Sequence, residues 1–125
     1  MLCKTASDVY KRQLVHEQEV LSNISDCIIQ TYAAESVVLR VKKLESMKGE
    51  EAGKLYRDMV DVFVYDAASR IRKFALDSAY STVEGEDLDL LVKGIEQFTS
   101  VSGVNVKEAR RRIADRLIEE NSYCF

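Results

Sequence analysis

The side chains able to do chemistry are few in this chain. The one histidine, His16, stands in the stretch VHEQE beside Glu17 and Glu19. A nucleophile–base pair or an imidazole-bearing di-iron site needs such groups on facing helices, so no ferritin-like catalyst is expected and His16 reads as a solvated residue near a helix start. The three cysteines, Cys3, Cys27 and Cys124, are an odd number at wide spacings. They suggest neither a disulfide framework nor a zinc site, and a reducing compartment is the simple reading. Cys27 falls on or beside an apolar helical face and should pack as a small hydrophobe. Gly49, Gly53 and Gly85 lack the strand-and-helix setting of a phosphate-cradling loop, and VEGEDLDL lacks the ordered oxygen-ligand spacing of a calcium site. Catalytic, cofactor-binding and metal-ligating residues are therefore all predicted to be absent from this segment.

The most charged run, KEARRRIADRLIEE, could suggest a nucleic-acid contact. At four-residue spacing, however, Glu108 can pair with Arg112, Arg111 with Asp115 and Arg116 with Glu120. No aromatic residues interleave with the arginines for base stacking, and the whole chain carries a net charge of -3. A polyanionic partner is disfavoured on both grounds.

Elements that could position these groups follow from pattern and composition. A chain of 125 residues with 46% apolar residues can bury one core, and the absence of proline with only five glycines favours long helices over a turn-rich sheet. Apolar or small residues at Leu14, Leu21, Ile24, Ile28, Thr31, Ala34, Val38, Val41 and Leu44 recur at steps consistent with one helix over about 14–47. SMKGEEAGK interrupts the pattern, with Ser46 able to cap and Gly49 to turn. A second helix over about 51–80 carries Leu55, Met59, Val62, Phe63, Ala67, Ile71, Phe74 and Ala75. A third, shorter helix runs through Leu88, Leu91, Val92, Ile95 and Phe98, and Gly103 can close it in a left-handed conformation. Asn105, with Glu108 three residues on, starts a last helix through Ala109, Ile113, Leu117 and Ile118.

The fold class is therefore all-α: an antiparallel bundle of about four helices, the first two long. At ~1.5 Å per residue those two reach about 45 Å, more than a bundle of this size needs. The excess length predicts docking onto something else. Candidate docking groups, large or cationic and near the edges of the apolar stripes, are Tyr56, Tyr65, Arg70, Arg72, Tyr80, Tyr123 and Phe125. Tyr123 and Phe125 are expected to anchor the chain terminus to a surface.

Three stretches taken in order, LVHEQEVLSNISDCIIQTYAAESVVLRVKKLES, LYRDMVDVFVYDAASRIRKFALDSAYS and VNVKEARRRIADRLIEENSYCF, resemble the C-terminal helical extension of long-chain and very-long-chain acyl-CoA dehydrogenases. The resemblance covers about residues 14–125, and is most specific in EQ before an Ile/Ala-rich helix, in AASRIR, and in the final helix closing on an aromatic residue. It implies a parent oxidoreductase that uses FAD to remove two hydrogens across the α,β-carbons of a fatty acyl-CoA, in β-oxidation, passing electrons to an electron-transfer flavoprotein. The family's glutamate base and flavin motifs have no counterpart here, so the segment alone is expected to be inactive. What the resemblance implies for it is a structural role, packing on its own upstream catalytic domain and helping to fix a homodimer. Some relatives attach to membranes through this region. Between 81 and 104 this chain carries five acidic residues against the single Lys93, the wrong sign for an anionic bilayer. A cytoplasmic location is expected. The rival reading is a stand-alone helical adaptor that binds other proteins.

Residues 1–13 stand apart. DVYKRQ looks like the translation of a transposon-end adapter used in preparing sequencing libraries, and the resemblance starts at Leu14. Residues 1–13 are accordingly expected to be a non-native leader with no part in the fold.

Overall fold

A computed structural model describes residues 1–124, with the backbone alone at 50–52. The described residues form an all-α antiparallel bundle of five helices: α1 (Leu2–Tyr10), α2 (Gln18–Lys48), α3 (Glu50–Thr82), α4 (Gly85–Phe98) and α5 (Val106–Glu120), with a 3₁₀ helix at Lys11–His16. The two long helices have 31 and 33 residues, as the periodicity predicts. The chain divides into two compact units: Met1–Tyr32 with Ala67–Ser100, and residues 33–66 with 101–124.

In the first unit the core is built on small residues of α3. Ala75 and Ala79 are buried with Leu91 and Ile95 of α4, and Leu2, Cys27, Leu76, Val83 and Leu88 pack around them. Alanine is the best helix former, and its short side chain lets a neighbouring helix approach closely. Leu91 and Ile95 then fill the space the alanines leave, each contributing about 1.5–3 kcal/mol by burial. A second cluster joins Ala6 of α1 to Val20 and Ile24 of α2, with Leu2, Tyr10 and Leu14 against it. The steps of four from Leu2 through Ala6 and Tyr10 to Leu14 give one apolar face. Tyr10 Oη also donates to the Ser81 carbonyl at 2.7 Å.

This packing departs from the expectation that residues 1–13 have no part in the fold. Ala6 is only 2% exposed. The first long helix also begins at Gln18 and not at Leu14, because residues 11–16 wind as a 3₁₀ helix and Glu17 leaves helical geometry at φ -88°, ψ 62°. Short 3₁₀ segments are common at the ends of α-helices.

In the second unit, α2 and α3 are joined through Gly49, whose φ of +87° is left-handed. Glycine adopts that conformation without steric cost. The turn is thus tighter than SMKGEEAGK suggests, and Ser46 does not cap a helix start: its hydroxyl donates back to the Lys43 carbonyl at 2.8 Å inside α2. Four residues past the turn, a Cβ at Gly53 would come within 2.5 Å of Glu45 Cγ, so a side chain there would displace Glu45 from its pairing with Arg57.

Helix ends obey local chemistry, though not always at the expected residue. Asn105 caps α5 as predicted, its Oδ1 accepting from the Glu108 N–H at 3.2 Å. Thr99, not Gly103, closes α4, its N–H and hydroxyl both donating to the Ile95 carbonyl. The left-handed glycine of this region is Gly85, at the start of α4.

Several residues placed on inward faces by periodicity lie outside. Ile28 is 58% exposed, Phe98 82% and Ile118 75%, while Leu21, Phe63 and Leu117 sit at the border. Each lies on a helix that is apolar on more than one side, so an i, i+3, i+4 template alone does not choose the buried stripe.

Ser78 is the buried polar residue of the core face, and its hydroxyl has no partner among the described residues. A buried hydroxyl without a hydrogen bond is a net cost, so Ser78→Ala should hold or raise stability by up to ~1 kcal/mol. Ser78→Leu should lower it by about 1–3 kcal/mol through overpacking. Urea unfolding followed by circular dichroism measures both, and a destabilised alanine variant would show that the hydroxyl is satisfied in solution.

Candidate docking surface

Local geometry offers little for catalysis. His16 is exposed. Cys27 is half-buried, its thiol donating to the Ile71 carbonyl at 3.7 Å. Burial, and then the neighbouring Asp26, push the thiol's pKa up, the opposite of what activates a nucleophile. No group of three or more His, Cys, Asp or Glu side chains among the described residues is placed to hold a metal ion. A cavity of about 300 Å³ in the first unit is lined by Met1, Leu2, Cys3, Ile24, Cys27, Ile28, Ile71, Ala75, Ile95 and Phe98. It lacks the convergent polar groups that orient a substrate, so packing is the work its lining can do. No helix among the described residues is long and apolar enough to cross a membrane.

Charge, by contrast, is highly organised in the second unit. Arg112 forks onto Asp58, with Nε and Nη2 donating to the two carboxylate oxygens at 2.7 and 2.6 Å. Arg110 reaches both oxygens of Asp66 through Nη2, at 3.2 and 2.9 Å. These bonds tie α5 to α3, where the sequence pattern predicted self-neutralisation within α5. The Arg116–Glu120 pair forms as predicted, whereas Glu108 pairs with Lys107 and Arg111 in place of Arg112. Tertiary packing brings α3 carboxylates within reach, and a planar guanidinium gains more from a bidentate carboxylate than from a single helical neighbour. Alanine at 109 is the one fully buried residue of α5, so ion pairs carry much of its docking.

The predicted docking groups are divided between the units. Tyr56, Tyr65 and Tyr123 belong to the second, and Arg70, Arg72 and Tyr80 to the first. Tyr56 is half-buried beneath the Lys48 ammonium, 5.9 Å from its ring centre. Arg72 is paired with Glu96 at 2.8 Å. Arg70, Tyr65 and Tyr80 are exposed, and Tyr123 is 83% exposed. Phe125 lies outside the described residues. What the residue-by-residue choice missed is the exposed apolar set on α2, namely Ile28, Ile29, Tyr32 and Leu39. Of these, the periodicity placed Ile28 on the inward stripe and assigned no role to Ile29, Tyr32 or Leu39.

Comparison with known proteins places these features in a family. The family model described as acyl-CoA dehydrogenase, C-terminal domain, matches residues 1–97. The chain belongs to this family. The match begins at residue 1, ahead of the Leu14 start read from the resemblance. Among relatives of the acyl-CoA dehydrogenase domain, a probable acyl-CoA dehydrogenase of Bacillus subtilis (strain 168) is 30% identical over 118 residues, 94% of this chain and 20% of the relative. A crystal structure of acyl-CoA dehydrogenase complexed with FAD from Bacillus anthracis superposes with a TM-score of 0.94 at 30% identity, covering 100% of this chain and 22% of that one. The domain thus spans about a fifth of the length of the relatives it matches.

The Asp58–Arg112 fork makes a pH prediction for the domain. Hydrogen bonding from Arg112 holds the Asp58 carboxyl below its ordinary value. Its contribution is complete above about pH 4, the unfolded value, and is lost as pH falls through the lowered folded value. Asp58→Asn should lower the melting temperature near neutrality by about 3 °C, with the gap to wild type closing in acid. A gap that stayed constant into acid would rule out the carboxylate charge as its cause.

Proposed function

We propose that this domain is the structural C-terminal part of an FAD-dependent acyl-CoA dehydrogenase, inactive alone, which docks on the upstream catalytic domain and helps to hold a homodimer. The parent enzyme would remove hydrogens across the α,β-carbons of a fatty acyl-CoA in β-oxidation and pass electrons to an electron-transfer flavoprotein in the cytoplasm. Nucleic acid and anionic membrane are not partners in this reading. The observation that carries the structural role is the exposure of large apolar residues, Ile28, Ile29, Tyr32, Leu39, Phe98 and Ile118 being more than half exposed. Exposed apolar patches on soluble proteins mark contacts with other surfaces. The relatives support the parent chemistry, since one is described as complexed with FAD.

Residues 1–13 fit this proposal as a non-native leader that happens to seat well. DVYKRQ supports an adapter origin, and the apolar seat formed by Val20 and Ile24 accepts a helix with apolar residues every fourth position. A native segment of the parent would meet the same requirement.

Reading the source DNA upstream of the Leu14 codon tests both statements. An open frame running into an FAD-binding dehydrogenase, with the codons for 1–13 missing from the genome, is the expected outcome. An in-frame stop just upstream would favour the stand-alone adaptor instead. As a protein-level check, the purified chain should neither retain FAD absorbance nor oxidise a long-chain acyl-CoA. Turnover by the chain alone would overturn the structural role.

A further inference from the structure

In the second unit, α5 is held to α3 by its edges. Its docked face is short: Ala109 is buried, and Val106 and Ile113 are half-buried, at steps of three and four. The next apolar residues, Leu117 and Ile118, are 38% and 75% exposed, so burial fades after about two turns. At 3.6 residues per turn, Arg110 and Arg112 stand on opposite edges of that face. Arg110 grips Asp66 and Arg112 grips Asp58. The arginines are two residues apart, whereas the aspartates lie ~12 Å apart along α3 at ~1.5 Å per residue. Arms spread in this way brace a helix that crosses α3, and Val62 lies between the two aspartates on the same row.

The rest of the segment is built to move with the helix. The Lys107–Glu108, Arg111–Glu108 and Arg116–Glu120 pairs all lie within α5. Leading into it, Val101, Ser102 and Gly103 are exposed, and a Cβ at Gly103 would meet no atom within 4 Å. Both clamping pairs are open to solvent ions. The arginine side chains are about half exposed, that of Asp66 39% and that of Asp58 14%, and ion pairs so placed are screened by salt.

We propose that α5 is a strap that opens from α3 as a unit while the rest of the chain stays folded, and that ionic strength sets how often it opens. Opening breaks the Arg110–Asp66 and Arg112–Asp58 pairs, frees both guanidinium groups, and bares the Asp58, Val62 and Asp66 row of α3. The property belongs to the second unit and does not depend on the chemistry of the parent enzyme.

Hydrogen exchange of the whole chain, read by mass spectrometry, tests the strap. A released helix of 15 residues is marginal in water, so opening exposes its amides. At low salt the α5 amides should be less protected than those of residues 67–80 in α3, which wait for global unfolding. Raising NaCl from about 0.01 M to about 1 M shortens the Debye length from ~30 to ~3 Å and should speed α5 exchange at least ~5-fold, with 67–80 constant within ~2-fold. Asp58→Asn/Asp66→Asn should speed α5 exchange at low salt and abolish its salt response. Equal protection of α5 and 67–80, α5 exchange indifferent to salt, or a salt response that persists in the double variant would each overturn the strap. So would a double variant that loses protection at 67–80 together with α5, because α5 would then open only with the whole chain.

Discussion

Close approach at the small-residue face of α3 is the constraint on which the first unit depends. Ala75, Ser78 and Ala79 present almost no side-chain bulk, so Leu91 and Ile95 of α4 can seat against them and complete a core that α3 could not form alone. Enlarging any of these positions would push α4 outward and open the cluster around Leu76, Val83 and Leu88. The cost of such a face is a thin apolar layer. Larger residues supplied by α1 and α2 thicken it, with Leu2 touching both clusters.

The second unit is held differently. Its α5 buries little apolar surface, and the Arg110–Asp66 and Arg112–Asp58 contacts take the place of a deep core. Bidentate pairs have strict geometry, so they define where α5 sits even though partly exposed ion pairs add modest stability. A helix positioned this way leaves Ile118 on its outer side, 75% exposed.

Much of this was legible before the structure. The helical class, the two long helices, the Asn105 cap and the Arg116–Glu120 pair all follow from rules that act within a few residues: hydrophobic period, side-chain capping and i,i+4 reach. The readings that changed are those in which two answers satisfied the same local rule. Thr99 and Gly103 could each end α4, and the backbone closed at the nearer one. Arg112 could bond Glu108 or a carboxylate elsewhere, and Asp58 offered the bidentate geometry. Residues 1–13 showed little pattern to read, yet Leu2, Ala6 and Tyr10, at steps of four, pack with Leu14 against Val20 and Ile24 of α2.

Taken alone, the sequence determined the helical class of this protein and its family, because these depend on residue type and short-range spacing. Tertiary structure decided which stripe of α2 is buried, which carboxylates receive the arginines of α5, and that Ile28, Phe98 and Ile118 face outward. The physical reason is that an α-helix with apolar residues on several sides has more than one way to satisfy its own periodicity, and only the neighbours it meets in space select among them.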